Sequence, residues 1–152
     1  MLQDHSAAKI IATWLQQSGL SAQTTAESFY AYVGYIPEQF HNTPAVNRNV
    51  IGIFDSGDDS NDGRHLSSGK YFLRYLVQVR VRALEYLDAY STITKIDNAL
   101  ATLQSEPVIV DSTTYTIKSV SRTSGILPMG IDPGQQTFNF SLNLKVLIAN
   151  SV

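Results

Sequence analysis

The spacing of apolar residues changes several times along this chain. In "DHSAAKIIATWLQQSG", Ala7, Ile10, Ile11, Trp14 and Leu15 form one stripe at helical spacing. Asp4 or Ser6 can cap its start and Gly19 can end it, so the spacing predicts a helix over 5–18. After the polar connector "LSAQTTAES", the aromatic and β-branched "FYAYVGYIP" reads as a short strand stopped by Pro37. "EQFHNTPAVNR" reads as loop, and "NVIGIFD" as a buried or half-buried strand. An acidic turn follows.

From Tyr71 to Arg82 the pattern alternates. Tyr71, Leu73, Tyr75, Val77, Val79 and Val81 share one face, with Arg74, Gln78, Arg80 and Arg82 on the other. That is a long strand with one wet or partner-facing side. Residues 83–104 then place Leu84, Leu87, Tyr90, Ile93, Ile96, Leu100 and Leu103 three and four apart, a second helix closed by Pro107. Trp14 and Tyr90 read as core. "TYTIKSVSR" alternates Tyr115, Ile117 and Ser119 against Thr116, Lys118 and Val120 as a further strand. "TSGILPMGIDPGQQ" is rich in proline and glycine and reads as a loop. "TFNFSLNLKVLIAN" is the cleanest strand, with Phe138, Phe140, Leu142, Leu144, Val146 and Ile148 on one side. The predicted fold is α+β in a single domain, 1–152. It is a mainly antiparallel or mixed sheet of about four to five strands, with two helices packed on one face.

Composition narrows the chemistry. With 152 residues the chain can bury one core. Hydrophobic residues make up 43% and charged residues 16%, the balance of a chain that folds unaided. The net charge of −2 supplies no overall basic field for nucleic acid, so DNA contact requires a local patch. There is no cysteine, which removes disulfides, thiolate metal sites and cysteine nucleophiles. The start "MLQDHSAAKII" resembles neither a signal peptide nor a membrane span, and the chain reads as a soluble intracellular product.

The motifs that could carry chemistry fail on spacing. Asp58, Ser60, Asp62 and Gly63 match the first half of a calcium loop, but His65 and Gly69 stand where that loop needs an apolar anchor and a bidentate glutamate. A solvated turn fits those residue types better. "GRHLSSGKYF" misses the phosphate loop by one residue between its glycines and by Tyr71 after Lys70. His5, His41 and His65 have no helical metal-site spacing and read as surface histidines. Ser67 or Ser68 with His65 and Asp62 lacks a nucleophile elbow. No cofactor and no enzymatic activity is expected. Three roles stay open for Arg74, Arg80 and Arg82: guarding an edge strand, meeting acids of a neighbouring subunit, or facing DNA in a channel. The concentration of Tyr and Phe in strands adds an aromatic interaction surface to the list of expectations.

Taken in order, several pieces resemble the tail terminator or minor capsid proteins of bacteriophages with long non-contractile tails. They are the step Gly34–Pro37, the strand ending at Phe54, Asp55 and Gly57, and the arginine-bearing strand running into a helix, Val79–Tyr86. The loop with Gly130, Asp132 and Gly134 before "FNFSLN" completes the set. They cover residues 30–149. The resemblance implies a non-enzymatic virion protein at the head–tail junction, made in the host cytoplasm. It would form a homo-hexameric ring on the tail tube protein, end tube growth and offer a docking surface to the head–tail connector, remaining a monomer in free solution. DNA would pass through the lumen without specific recognition, and no membrane is involved. Asp55, Arg74, Arg80, Arg82, Arg122 and Asp132 are the subunit or partner contacts this reading nominates. Segments 55–70 and 123–136 are expected to order on contact with tube or connector. A head-side joining or stopper protein is the alternative role. A small hydrolase and a ligand-binding regulatory domain are the rivals outside the virion class.

Overall fold

Ser6 starts the first helix. Its hydroxyl accepts the Lys9 amide at 3.2 Å, and α1 runs Ala7–Gln17. It ends at Gly19, whose φ of 75° lets the Leu20 amide turn back to the Leu15 carbonyl at 2.9 Å. The structure, a computed structural model, describes residues 5–37, 48–59, 72–131 and 136–150. The remaining elements are β1 Tyr30–Val33, β2 Val50–Asp59, β3 Phe72–Ala83, α2 Tyr86–Ala101, β4 Gln104–Val110, β5 Thr113–Arg122, β6 Leu127–Ile131 and β7 Phe138–Asn150.

All seven strands join one sheet in the order β1-β2-β3-β7-β5-β4, with β6 alongside β7 where β5 has left it. Among the described strands β1 and β2 pair in parallel and the others antiparallel, with one further parallel bridge between Ala22 and Tyr30. Helix α1 touches β1, β2 and β3 near one end of that order and β4 at the other, so the sheet curls around it. Helix α2 lies on the central strands β3, β7 and β5. Facing columns such as Val77–Leu144, Val79–Leu142 and Val81–Phe140 are buried beneath both helices in a single core. Each fully buried Leu or Ile side chain contributes about 1.5–3 kcal/mol.

Gly52 shows how tightly the other, convex face is covered. A Cβ there would lie 2.4 Å from Ile36 Cγ1, so the chain after β1 folds down directly onto the glycine. Gly52→Ala is expected to lower stability by about 1–3 kcal/mol, read as a lower urea midpoint. An unchanged midpoint would mean that Ile36 swings aside at no cost.

Both helices, their common face, and five of the strands stand where the sequence places them, apart from their ends. Two strands escape the sequence. β4 lies where helix and Pro107 were expected to meet; α2 stops at Ala101, and Pro107 sits exposed in a strand with a free edge, where its missing amide costs nothing. β6 lies within the expected glycine–proline loop, and its bulge between Pro128 and Gly130, φ 87°, absorbs those residues. The acidic turn proves to be strand as far as Asp59, again through a bulge, between Asp55 and Gly57. A bulge between Ile117 and Ser119 turns Val120 onto the core and leaves Ser119 exposed, the reverse of simple alternation. β3, read as edge-like, is central. Leu87 and Tyr90 are exposed, while Trp14 is half-buried against the core.

Candidate interaction surfaces

The six nominated residues divide by environment. Asp55 lies on the core side of β2, opposite Val77, and its Oδ1 accepts the Ala8 amide at 2.9 Å. Ser6 and Asp55 therefore satisfy successive amides at the start of α1, one from within the helix and one from across the fold. A carboxylate there also meets the positive end of the helix dipole, an arrangement that stabilises by about 0.3–1 kcal/mol.

Arg82 is the main departure from expectation. It is on the same strand face as Arg74 and Arg80, yet only 6% exposed, its head group held against the chain at Pro37 and Arg48. Its Nη1 donates to the Pro37 carbonyl at 2.8 Å and its Nε to the Arg48 carbonyl at 3.3 Å. The guanidinium thus joins the chain on either side of residues 38–47, and within the single chain it is covered where a wet face was expected. The charge also reaches Tyr32, whose hydroxyl is held above the ordinary tyrosine pKa, mainly by burial and then by Tyr35 and Tyr30, with Arg82 acting in the opposite direction.

Arg74 and Arg80 do face solvent. Arg80 stacks over the Phe54 ring, 5.1 Å from its centroid, and donates from Nε to Gln78 Oε1 at 2.8 Å. Gln78 donates to Asn143 Oδ1 at 3.1 Å, and the Asn143 backbone amide donates to Ser124 Oγ at 3.2 Å. A polar line therefore crosses the convex face from Arg80 on β3 through Asn143 on β7 to the segment before β6. Arg122 lies on the helix side, where its Nη1 donates to Asp97 Oδ2 at 3.0 Å. Asp97 is 8% exposed, so this pair anchors α2 to β5. Asp132 lies outside the described residues, as do His41, His65 and residues 60–71 with the second half of the acidic segment. His5 is not a free surface histidine: Nδ1 lies 2.8 Å from the Tyr115 hydroxyl and Nε2 3.2 Å from Asp111.

Sequence reasoning missed the most distinctive surface. Tyr86 and Tyr90 stack in parallel at the start of α2, with Tyr86 edge-on to Phe138 and both tyrosines tilted against Phe140. Beside them the five residues of β6 are all exposed, Met129 by 55% and Ile131 by 57%. A cleft of about 210 Å³ opens between the two, lined by Tyr86, Pro128, Ile131, Phe138 and Phe140 among others. The helical stripe through Leu87 and Tyr90 pointed to burial, and in this chain those two residues are exposed. Among the described residues there is no cluster of three or more His, Asp or Glu arranged to hold a metal, and no helix long and apolar enough to cross a membrane.

Comparison with known proteins bears on the fold. No family model and no curated protein matches the chain. A chain from the solved structure "Virion of native gene transfer agent (GTA) particle" overlaps 96% of this chain and 100% of its own length, with a TM-score of 0.52 at 11% identity. A second solved chain overlaps 93% of this chain and 96% of its own at a TM-score of 0.41 and 14% identity, too weak a likeness to add to the fold. The α+β architecture is thus shared end to end with a chain of a gene transfer agent particle.

Proposed function

We propose that this protein is a structural component of a phage-like virion, and that it caps the finished tail tube as a ring. In this reading a homo-hexamer seats on the last layer of tail tube protein, stops elongation and presents its other side to the head–tail connector. The observation that carries the proposal is the fold shared along the whole length of a virion-particle chain. The order of sequence pieces from Gly34 to the "FNFSLN" strand supports the finer assignment. An exposed aromatic and aliphatic surface is what a subunit destined for permanent assembly leaves uncovered when alone.

The decisive experiment is electron microscopy of particles made after deleting this gene from the genetic element that carries it. Overlong tails separate from filled heads are expected. Tails of normal length lying beside full heads would move the protein to a head-side joining or stopper role, and intact infectious particles would overturn both.

A further inference from the structure

Apart from Ile109 on β4, the exposed large apolar side chains among the described residues lie at two places on the sheet rim. One is the surface around β6 and the start of α2, with Tyr86, Leu87, Tyr90, Met129 and Ile131. The other is the β1 edge, where Tyr32 meets both Tyr30 and Tyr35 edge-on and Tyr35 is 57% exposed. Among the described residues β6 pairs with β7 alone, and β1 pairs along its length with β2 and makes one further bridge, from Tyr30 to Ala22, which leaves Ala31–Val33 as its open stretch. Such free edges offer backbone groups to another chain.

We infer that the β6–α2 surface of one copy docks on the β1 tyrosine edge of the next copy. Charge favours this pairing over self-pairing. The exposed acid Glu85 precedes Tyr86 at this surface, Asp88 lying on the opposite flank of α2 beside Thr92 and Lys95, while the exposed Lys9 flanks the tyrosine edge. A two-fold contact of the β6–α2 surface with itself would bring two copies of Glu85 together, whereas docking on the β1 edge sets Glu85 against a lysine. Shape agrees. The apolar cleft beside β6 can take an aromatic ring such as Tyr35, and a cleft of about 220 Å³ between α1 and β1, lined by Lys9, Thr13, Gln16, Tyr32 and Tyr35, can take Leu87. Because the two surfaces differ, the contact is heterologous; each copy keeps one free surface until the chain of copies closes on itself as a ring. The inference deepens the ring reading and rests on it for its biological meaning.

The chain has no cysteine, so a pair of introduced thiols reports the contact alone. The double variant Tyr35→Cys/Leu87→Cys, both at well-exposed positions, is oxidised as the purified full chain over a range of concentrations, and thermal melting checks that it folds as the parent does. Disulfide formation traps even brief encounters. A ladder of covalent multimers extending beyond the dimer is expected, whereas Leu87→Cys alone stays monomeric. Adding Lys9→Glu should reduce the ladder several-fold, and combining it with Glu85→Lys should restore it. A folded double variant that stays monomeric overturns the inference, as does efficient dimerisation of Leu87→Cys alone. The ladder reads pairing of copies whatever particle they serve, so its failure is distinguishable from a negative result in the deletion microscopy.

Discussion

Arg82→Met is expected to lower the free energy of unfolding by about 2–4 kcal/mol, since hydrogen bonds to a charged donor contribute about 1.5–3 kcal/mol and two carbonyls lose theirs together. The substitution keeps most of the apolar stem, so packing against the covered face is retained and the loss reports on the head group. The carbonyls of Pro37 and Arg48 sit either side of residues 38–47, and Arg82 is what links them across the convex face. Removing an arginine also removes the cost of desolvating it, which is why the estimate stays below that for breaking a buried ion pair. Arg82→Lys should recover part of the loss, because a lysine carries the charge without the fork that reaches two acceptors at once. Urea unfolding of the three proteins measures this. A loss below about 1 kcal/mol for Arg82→Met would mean that water reaches the carbonyls and the guanidinium is replaceable. Arg80→Met, at an exposed position on the same strand face, is the control and should change stability by no more than about 0.5 kcal/mol.

Ile11→Ala should cost more, about 2–5 kcal/mol, the range for deleting most of a buried aliphatic side chain. Ile11 is fully buried on α1, the helix that touches β1, β2 and β3 at one end of the sheet order and β4 at the other. The space left by truncation lies inside the curl, where the strands cannot close without changing their own pairing. Thermal or urea unfolding gives the magnitude. A loss under about 1 kcal/mol would show that the curl relaxes onto the shorter side chain. The neighbouring Lys9→Ala, on the exposed side of the same helix, should leave stability within about 0.5 kcal/mol of the parent.

These two residues illustrate different degrees of legibility. Ile11 belongs to a five-residue apolar stripe whose spacing admits only one interpretation, and it is buried as that stripe requires. Arg82 sits at an alternating position where the pattern also admits only one interpretation, exposure, and it is buried. The alternation places it correctly on the convex face, but not the segment that returns over that face after Gly34, which packs Ile36 onto Gly52 and sets the Pro37 carbonyl against the guanidinium. Tyr90 makes the converse case: its helical spacing matches that of the buried Ile93 and Ile96, yet it meets β7 only through the tilted ring of Phe140 and stays 46% exposed.

Local pattern by itself determined the two helices, their common packing face and the alternation of β3 and β7, because burial of apolar stripes at periods of helix and strand is a property of neighbouring residues. The bulges at Asp55/Gly57, Ile117/Ser119 and Pro128/Gly130, the strands β4 and β6, and the strand order that curls the sheet around α1 depend on pairing between segments far apart in the chain. So do the partners of Asp55, Arg82 and Arg122, and the aromatic surface left open beside β6. A residue's spacing says which way its side chain points from its own strand or helix; whether anything lies there is decided by the rest of the chain.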